Sequence, residues 1–126
     1  MPIPIAHINA EQAQALDTSA WENLTLKSGW QATSGHTPQI SRAGGLIFIT
    51  GAVTRVAGGS FGYMLTVPAW ARPKATQFIG STTDNLGQTY EAYISSDGTL
   101  SVQGYTNAGP KPGYVVPLAF TFCLVK

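Results

Sequence analysis

Charged side chains are scarce in this sequence. They make up 10% of its 126 residues, against about 25% in a typical domain, and Ser, Thr, Asn and Gln take their place. The seven Lys and Arg side chains are scattered along the chain, and the net charge is only +1. Nucleic-acid binding needs a basic patch that neutralises several phosphates. We therefore expect no nucleic-acid partner.

Cysteine is almost absent, which excludes a disulfide framework and a thiolate metal cluster. The single Cys123 lies in the apolar run 120–125, and this setting predicts a buried, inert thiol. Two histidines, His7 and His36, do not complete a transition-metal site with it. The sequence predicts no metal and no cofactor.

Long apolar runs are also missing. No segment approaches the roughly 18 apolar residues that a membrane span requires. Met1–Ala10 has neither a basic region nor the apolar core of a secretory signal. We expect no membrane insertion.

The first twenty residues differ from the rest. Asn9 can cap a short helix over 10–16, where strong helix formers precede the breaking segment 17–19. Such a short helix must pack on something. Residues 1–20 are thus either a lead docked on the body or the end of a stalk joined to neighbouring copies, and residues 21–126 form the second unit.

From residue 21 onward, short strands alternate with turn residues, which are supplied by 14 Gly and 8 Pro in the whole chain. This pattern predicts an all-β fold, an antiparallel sandwich of jelly-roll type. Asp97-Gly98 marks a hairpin in which Tyr90, Ala92 and Ile94 face the core while the alternate residues face outward. The predicted strands are 24–26, 29–33, 46–54, 63–67, 75–80, 88–95, 99–104 and 115–125.

The strand 46–54 is the strongest in the chain, and its apolar residues fall on both faces. We expect it to be covered on both sides. In the closing strand, Phe120, Phe122 and Leu124 should point the same way.

Catalytic patterns are weak. Of the six acids, only Asp84 and Glu91 remain as a conceivable pair across a cleft, and nothing in their spacing favours a glycosidase. The sequence contains no nucleophile elbow, Walker loop or dinucleotide motif. We expect a binding protein and not an enzyme.

Binding chemistry is better represented. Trp70, in the predicted loop 68–73, is a candidate platform for a sugar ring, and Arg72 beside it can hold a carboxylate or phosphate. The alternative is that Trp70 closes one end of the sandwich while Arg72 contacts a neighbouring chain. A second loop, 105–114, either recognises a polar ligand or only links two strands. The candidate ligand residues are Trp70, Arg72, Tyr105, Asn107, Tyr114 and His36, the last being more typical of a solvated loop; Trp21 and Trp30 are expected in the core.

Four segments, in order, resemble the C-terminal head domains of bacteriophage tail fibres and receptor-binding tail proteins. Trp21–Trp30 resembles their W-x-x-L-x-L-x-x-G-W opening, and Gly44–Val53 their G-G-x-V-x-L-x-G strand. Leu65–Pro73 is similar to L-x-x-L-P-x-G-Y-R-P, although Trp70-Ala71 replaces Gly-Tyr, and Tyr93–Leu100 to an I-x-x-D-G-x-L hairpin. Ligand residues vary within this family, so none is carried over.

The resemblance implies a homotrimeric jelly-roll head at the tip of a phage tail, assembled in the host cytoplasm, that binds a host cell-surface polysaccharide and contacts other tail or baseplate proteins. Scarce charge suits surfaces buried between identical copies. Two alternatives stay open: a structural trimerisation or baseplate module without a ligand site, and a non-viral trimeric domain of the complement or tumour-necrosis-factor type.

Overall fold

The computed structural model of the chain describes residues 20–56, 62–104 and 112–124. These residues form two antiparallel β-sheets packed face to face, which confirms the predicted all-β sandwich. Its jelly-roll winding stays a prediction. The predicted helix over 10–16 lies outside the described residues, as does nearly all of the lead 1–20, so the division at residue 20 also stays a prediction.

The described chain contains ten strands and one short 3₁₀ helix. In order they are β1 (Glu22–Asn23), β2 (Thr25–Leu26), β3 (Trp30–Ala32), β4 (Gln39–Ala43), β5 (Leu46–Arg55), β6 (Tyr63–Thr66), the 3₁₀ helix (Ala69–Ala71), β7 (Gln77–Thr83), β8 (Thr89–Ile94), β9 (Thr99–Gly104) and β10 (Val115–Cys123). The predicted strand 75–80 is therefore displaced toward the C-terminus.

Sheet A is built around β5, as its β-branched and aromatic residues favour. The strand order is β1-β4-β5-β10, and β3 also pairs with β5. β10 runs along one edge of β5 from Leu46 to Thr54. β4 and β3 share the other edge, with β4 opposite 46–50 and β3 opposite 53–55.

Sheet B has the order β2-β6-β9-β8-β7. The predicted hairpin joins β8 to β9: Gly98 has φ +90°, and the Asp97 carboxylate accepts the Thr99 amide at 2.9 Å. Positive φ costs glycine little, so Asp-Gly closes this turn without strain.

The core lies between the sheets and follows the period-two alternation of strands. Tyr90, Ala92 and Ile94 are fully buried while Glu91 and Tyr93 are only half-buried, as predicted. Phe120 and Phe122 are buried, and Leu124 packs against the core beside them, also as predicted.

Two predictions about burial are wrong. Trp21 is 49% exposed because it precedes the edge strand β1, whereas Trp30 is buried as expected. Cys123 is exposed because it alternates with the inward-facing Phe122. The apolar neighbours of Cys123 in the sequence therefore do not indicate that its own side chain is buried.

Candidate functional site

Trp70 sits on the 3₁₀ helix that follows β6. Pro68 starts this turn, and its carbonyl accepts the Ala71 amide at 2.9 Å. Ala71 is fully buried, which draws Trp70 against the core as a half-buried side chain. This agrees with the interpretation that Trp70 closes one end of the sandwich.

The ring of Trp70 does not offer the open stacking face expected of it. The Arg42 guanidinium lies 4.9 Å from the ring centroid, in cation–π geometry. A sugar can stack on this face only if Arg42 moves. The pair forms one wall of a depression of about 310 Å³, lined by Arg42, Gly44, Gly45, Ile47, Trp70, Cys123 and Leu124.

Arg72 has a structural contact instead of an evident ligand contact. Its Nε donates to the Val67 carbonyl at 3.2 Å, and the side chain lies against Gly98, where a Cβ would approach Nε to 2.6 Å. Arg72 thereby fastens the 3₁₀ segment to the β8–β9 hairpin. It lines a different depression from Trp70, of about 310 Å³, with Glu22, Asn23, Thr25, Thr66, Val67 and Pro68.

His36 and Tyr114 lie elsewhere on the sandwich. His36 is exposed, and its carbonyl accepts the Ala52 amide at 2.9 Å, next to the middle of β5. The Tyr114 carbonyl accepts the Arg55 amide at 2.8 Å, at the end of β5, and its side chain is half-buried. The remaining candidates, Tyr105 and Asn107, lie outside the described residues.

The structure therefore does not gather the described candidates into one site. Trp70 lies beside Ile47 near the start of β5, and Tyr114 lies beside Arg55 at its end. Ile47 and Arg55 are eight residues apart along β5, so these two positions are separated by about 26 Å. A ligand role for each stays a separate prediction.

The outer face of sheet A carries a feature that the site predictions missed. A depression of about 490 Å³ is lined by Trp21, Ser41, Arg42, Ala43, Phe48, Ile49, Thr50, Ala119, Phe120 and Thr121. The half-buried Phe48 lies at its centre, opposite Ser41 on one side and Thr121 on the other. The two-sided apolar pattern of 46–54 was the sequence signal for this face.

The carboxylates Asp84 and Glu91 do not face each other. Asp84 is buried, accepts the Tyr90 hydroxyl at 2.7 Å and accepts the amides of Leu86 and Gln88. Tyr90 points into the core, so the next residue, Glu91, faces outward. Two carboxylates placed in this way do not flank one substrate.

The hydrogen bonds that Asp84 accepts hold the β7–β8 turn together, and we call Asp84 with these partners the staple. Burial works to raise the pKa of Asp84, but hydrogen bonds from the Tyr90 hydroxyl and the turn amides lower it below its ordinary value. Burial, and then the Asp84 hydrogen bond, raise the pKa of Tyr90. The staple closes the β7–β8 turn with a charge-assisted hydrogen bond.

Within 20–56, 62–104 and 112–124, no cluster of three or more His, Cys, Asp or Glu side chains is placed to hold a metal ion. In the same ranges, no helix has the length and apolar character needed to cross a membrane.

Comparison with known proteins finds a similar fold in a phage receptor-binding protein. The two-sheet sandwich is similar to the crystal structure of the receptor binding protein (gp15) of Listeria phage PSA. The TM-score is 0.62 at 18% identity, over 90% of this chain and 79% of that chain. No family model matches the chain, and no curated protein does. The resemblance of the motifs at 21–100 to phage receptor-binding heads thus agrees with a solved structure of similar sandwich fold, while the jelly-roll winding and the trimer stay predictions.

Proposed function

We propose that this chain is the head domain of a phage tail receptor-binding protein, located on the virion tail, that attaches to a host cell-surface saccharide without catalysing a reaction. One observation carries the proposal: the chain shares its fold, over 90% of its length, with the receptor binding protein of Listeria phage PSA. The charge-poor, hydroxyl- and amide-rich composition supports a saccharide ligand.

We further propose that the head is a homotrimer in which the outer face of sheet A lies between copies. This face carries Leu46 at 41% exposed, Trp21 at 49% exposed and the half-buried Phe48. The outward residues of β10 add no charge: Val115, Pro117, Ala119, Thr121 and Cys123. An exposed apolar surface of this kind is typical of an interface.

Trimerisation suits weak saccharide binding because three linked sites bind a multivalent surface far more tightly than one. It would also supply the outer cover that the two-sided apolar β5 was expected to have. The other proposed partners are neighbouring tail or baseplate proteins.

Light scattering on a sizing column tests the trimer. We expect a species of three times 13.3 kDa. Phe48→Glu should reduce the mass to that of the monomer because it places a charge in the interface. Leu86→Glu, at a position 61% exposed on a turn outside sheet A, should leave it unchanged. A wild-type monomer at all concentrations would refute the interface.

Cell attachment tests the receptor. Fluorescently labelled domain should bind particular bacterial strains from a panel, and periodate oxidation of cell-surface sugars should abolish that binding while protease treatment should not. Binding that is lost to protease and survives periodate would indicate a protein receptor. No binding to any strain would favour a structural tail module.

A further inference from the structure

The outer face of sheet B carries a line of aromatic side chains that the sequence did not single out. Tyr63 on β6 pairs with Ser101 on β9, Ser101 with Tyr93 on β8, and Tyr93 with Phe78 on β7. The three aromatic residues and Ser101 cross the sheet at one level, and we call these four residues the aromatic row. Neighbouring strands lie about 4.8 Å apart, so the row extends about 14 Å, comparable with a short oligosaccharide.

The rings at the two ends of the row are open to solvent. Tyr63 is 54% and Phe78 52% exposed, and Tyr93 between them is half-buried. Phe78 meets Tyr93 edge to face, with ring centroids 5.6 Å apart and an interplanar angle of 62°. The Tyr93 hydroxyl donates to the Glu91 carboxylate. These contacts order the Tyr93 ring before any ligand arrives.

Two register shifts adjoin the row. One lies between Tyr63 and Leu65, and the other lies between Phe78 and Gly80. Each shift inserts an extra inward-facing residue, so two consecutive residues face the core. The next outward-facing residue therefore comes one position later than strict alternation would place it. In β7, Phe78 and Ser81 therefore face the same side: Phe78 lies opposite Tyr93, and Ser81 lies opposite Glu91.

Polar side chains occupy the next level of the same face. Ser81, Glu91 and Gln103 lie opposite one another on β7, β8 and β9; we call them the polar row. They supply hydroxyl, carboxylate and amide groups beside the aromatic rings. Among the seven described side chains of the two rows, Glu91 alone is charged, and it is acidic. This charge disfavours phosphorylated or sulfated ligands and suits neutral ones.

We propose that the aromatic row and the polar row together form a binding site for a neutral oligosaccharide that lies across the strands of sheet B. The apolar faces of its sugar rings stack on Tyr63 and Phe78, and its hydroxyls hydrogen-bond to the polar row. This inference rests on the proposed saccharide ligand and adds its location and its charge class. The site faces away from sheet A, so a trimer formed through sheet A leaves it open.

In the test, the wild-type domain is titrated with a panel of neutral oligosaccharides built from hexoses, deoxyhexoses and N-acetylhexosamines, and with their phosphorylated counterparts. NMR titration gives the affinity for each member of the panel. Tyr63→Ala and Phe78→Ala should each weaken binding of the best neutral oligosaccharide by about threefold to tenfold, as expected for the loss of one stacking ring. Leu86→Ala removes an apolar side chain that is somewhat more exposed than either ring, from a turn, and should have no effect. Tyr63→Phe keeps the ring and should retain most of the affinity. All variants should keep the oligomeric state and the far-UV circular dichroism spectrum of the wild type.

Each alternative result is decisive. Wild-type affinity in the double variant Tyr63→Ala/Phe78→Ala would overturn this site and leave the proposed function intact. A domain that binds cells in a periodate-sensitive way but binds only phosphorylated members of the panel, or none, would do the same. A change of oligomeric state in Tyr63→Ala would assign the face to contacts between copies and overturn the site. Absence of binding both to the panel and to cells would overturn the proposed function and this site together.

Discussion

Gly51 is the position in β5 where a single methyl group should do the most damage. Its φ is +106°, and a Cβ there would lie 2.6 Å from the Thr37 carbonyl oxygen and 2.7 Å from the Pro38 Cα. Both neighbours are backbone atoms, so no side-chain rotation relieves the overlap. Gly51→Ala must displace the segment 34–38, which carries the candidate ligand residue His36.

The expected cost has two parts. Forcing alanine into positive φ costs about 1–2 kcal/mol. Displacing the segment stretches the hydrogen bonds between Thr33 and Ala52 (3.0 Å) and between Ala52 and His36 (2.9 Å), each worth about 1 kcal/mol net. The destabilisation should therefore reach about 3–4 kcal/mol, a large part of a typical domain stability of about 5–15 kcal/mol.

Gly35→Ala is the matched control. Gly35 has φ +79°, and nothing lies within 4 Å of a Cβ built on it. It should therefore lose only the conformational part, about 1–2 kcal/mol. Urea unfolding followed by tryptophan fluorescence, at one protein concentration to hold any assembly constant, measures the difference. Equal destabilisation of the two variants, within about 1 kcal/mol, would refute the close approach at Gly51.

Three further outcomes follow from the described contacts. Tyr90→Phe removes the hydroxyl that Asp84 accepts at 2.7 Å and should cost about 1.5–3 kcal/mol. The folded-state pKa of Asp84 is lowered, so its carboxylate stabilises the fold above the ordinary pKa of 3.8, and this stabilisation disappears as the pH falls below that value. In Tyr90→Phe, acid unfolding should therefore begin at higher pH. An unchanged acid midpoint would contradict the staple. The exposed Cys123 should react with maleimide without denaturant, and more slowly at protein concentrations that favour the trimer; a thiol that reacts only after unfolding would contradict its placement. Arg42→Ala should increase quenching of Trp70 fluorescence by the neutral quencher acrylamide because it uncovers the ring, and Trp70→Phe identifies that signal; unchanged quenching would refute the stacked pair.

The strands and the core face could be predicted because they depend on local pattern. The alternation at 90–95 and the Asp97-Gly98 turn specify a hairpin from a few adjacent residues. The closing strand likewise places Phe120 and Phe122 inward through its period of two. The same period, followed strictly, would have predicted an exposed Cys123; the apolar character of its neighbours was the wrong signal.

The candidate site was harder to predict because residues chosen for their chemistry were assumed to meet. Trp70 and Tyr114 instead lie at opposite ends of β5, and the ring of Trp70 is covered by Arg42 from a strand almost thirty residues earlier in the chain. Distances between such residues depend on which strands pair, and the pairing of strands that are far apart in the sequence leaves no local signature.

The sequence by itself determined that this chain is an all-β sandwich with little charge to bring to a partner, because composition and short-range alternation control those properties. Only the tertiary structure decided which polar and aromatic side chains share a surface. Two bulges shift the alternation in β6 and β7, and the pairing of four strands then aligns Tyr63, Tyr93 and Phe78. A bulge changes the register of a strand pair, and its position depends on how both sheets pack. It therefore cannot be predicted from the sequence of either strand alone.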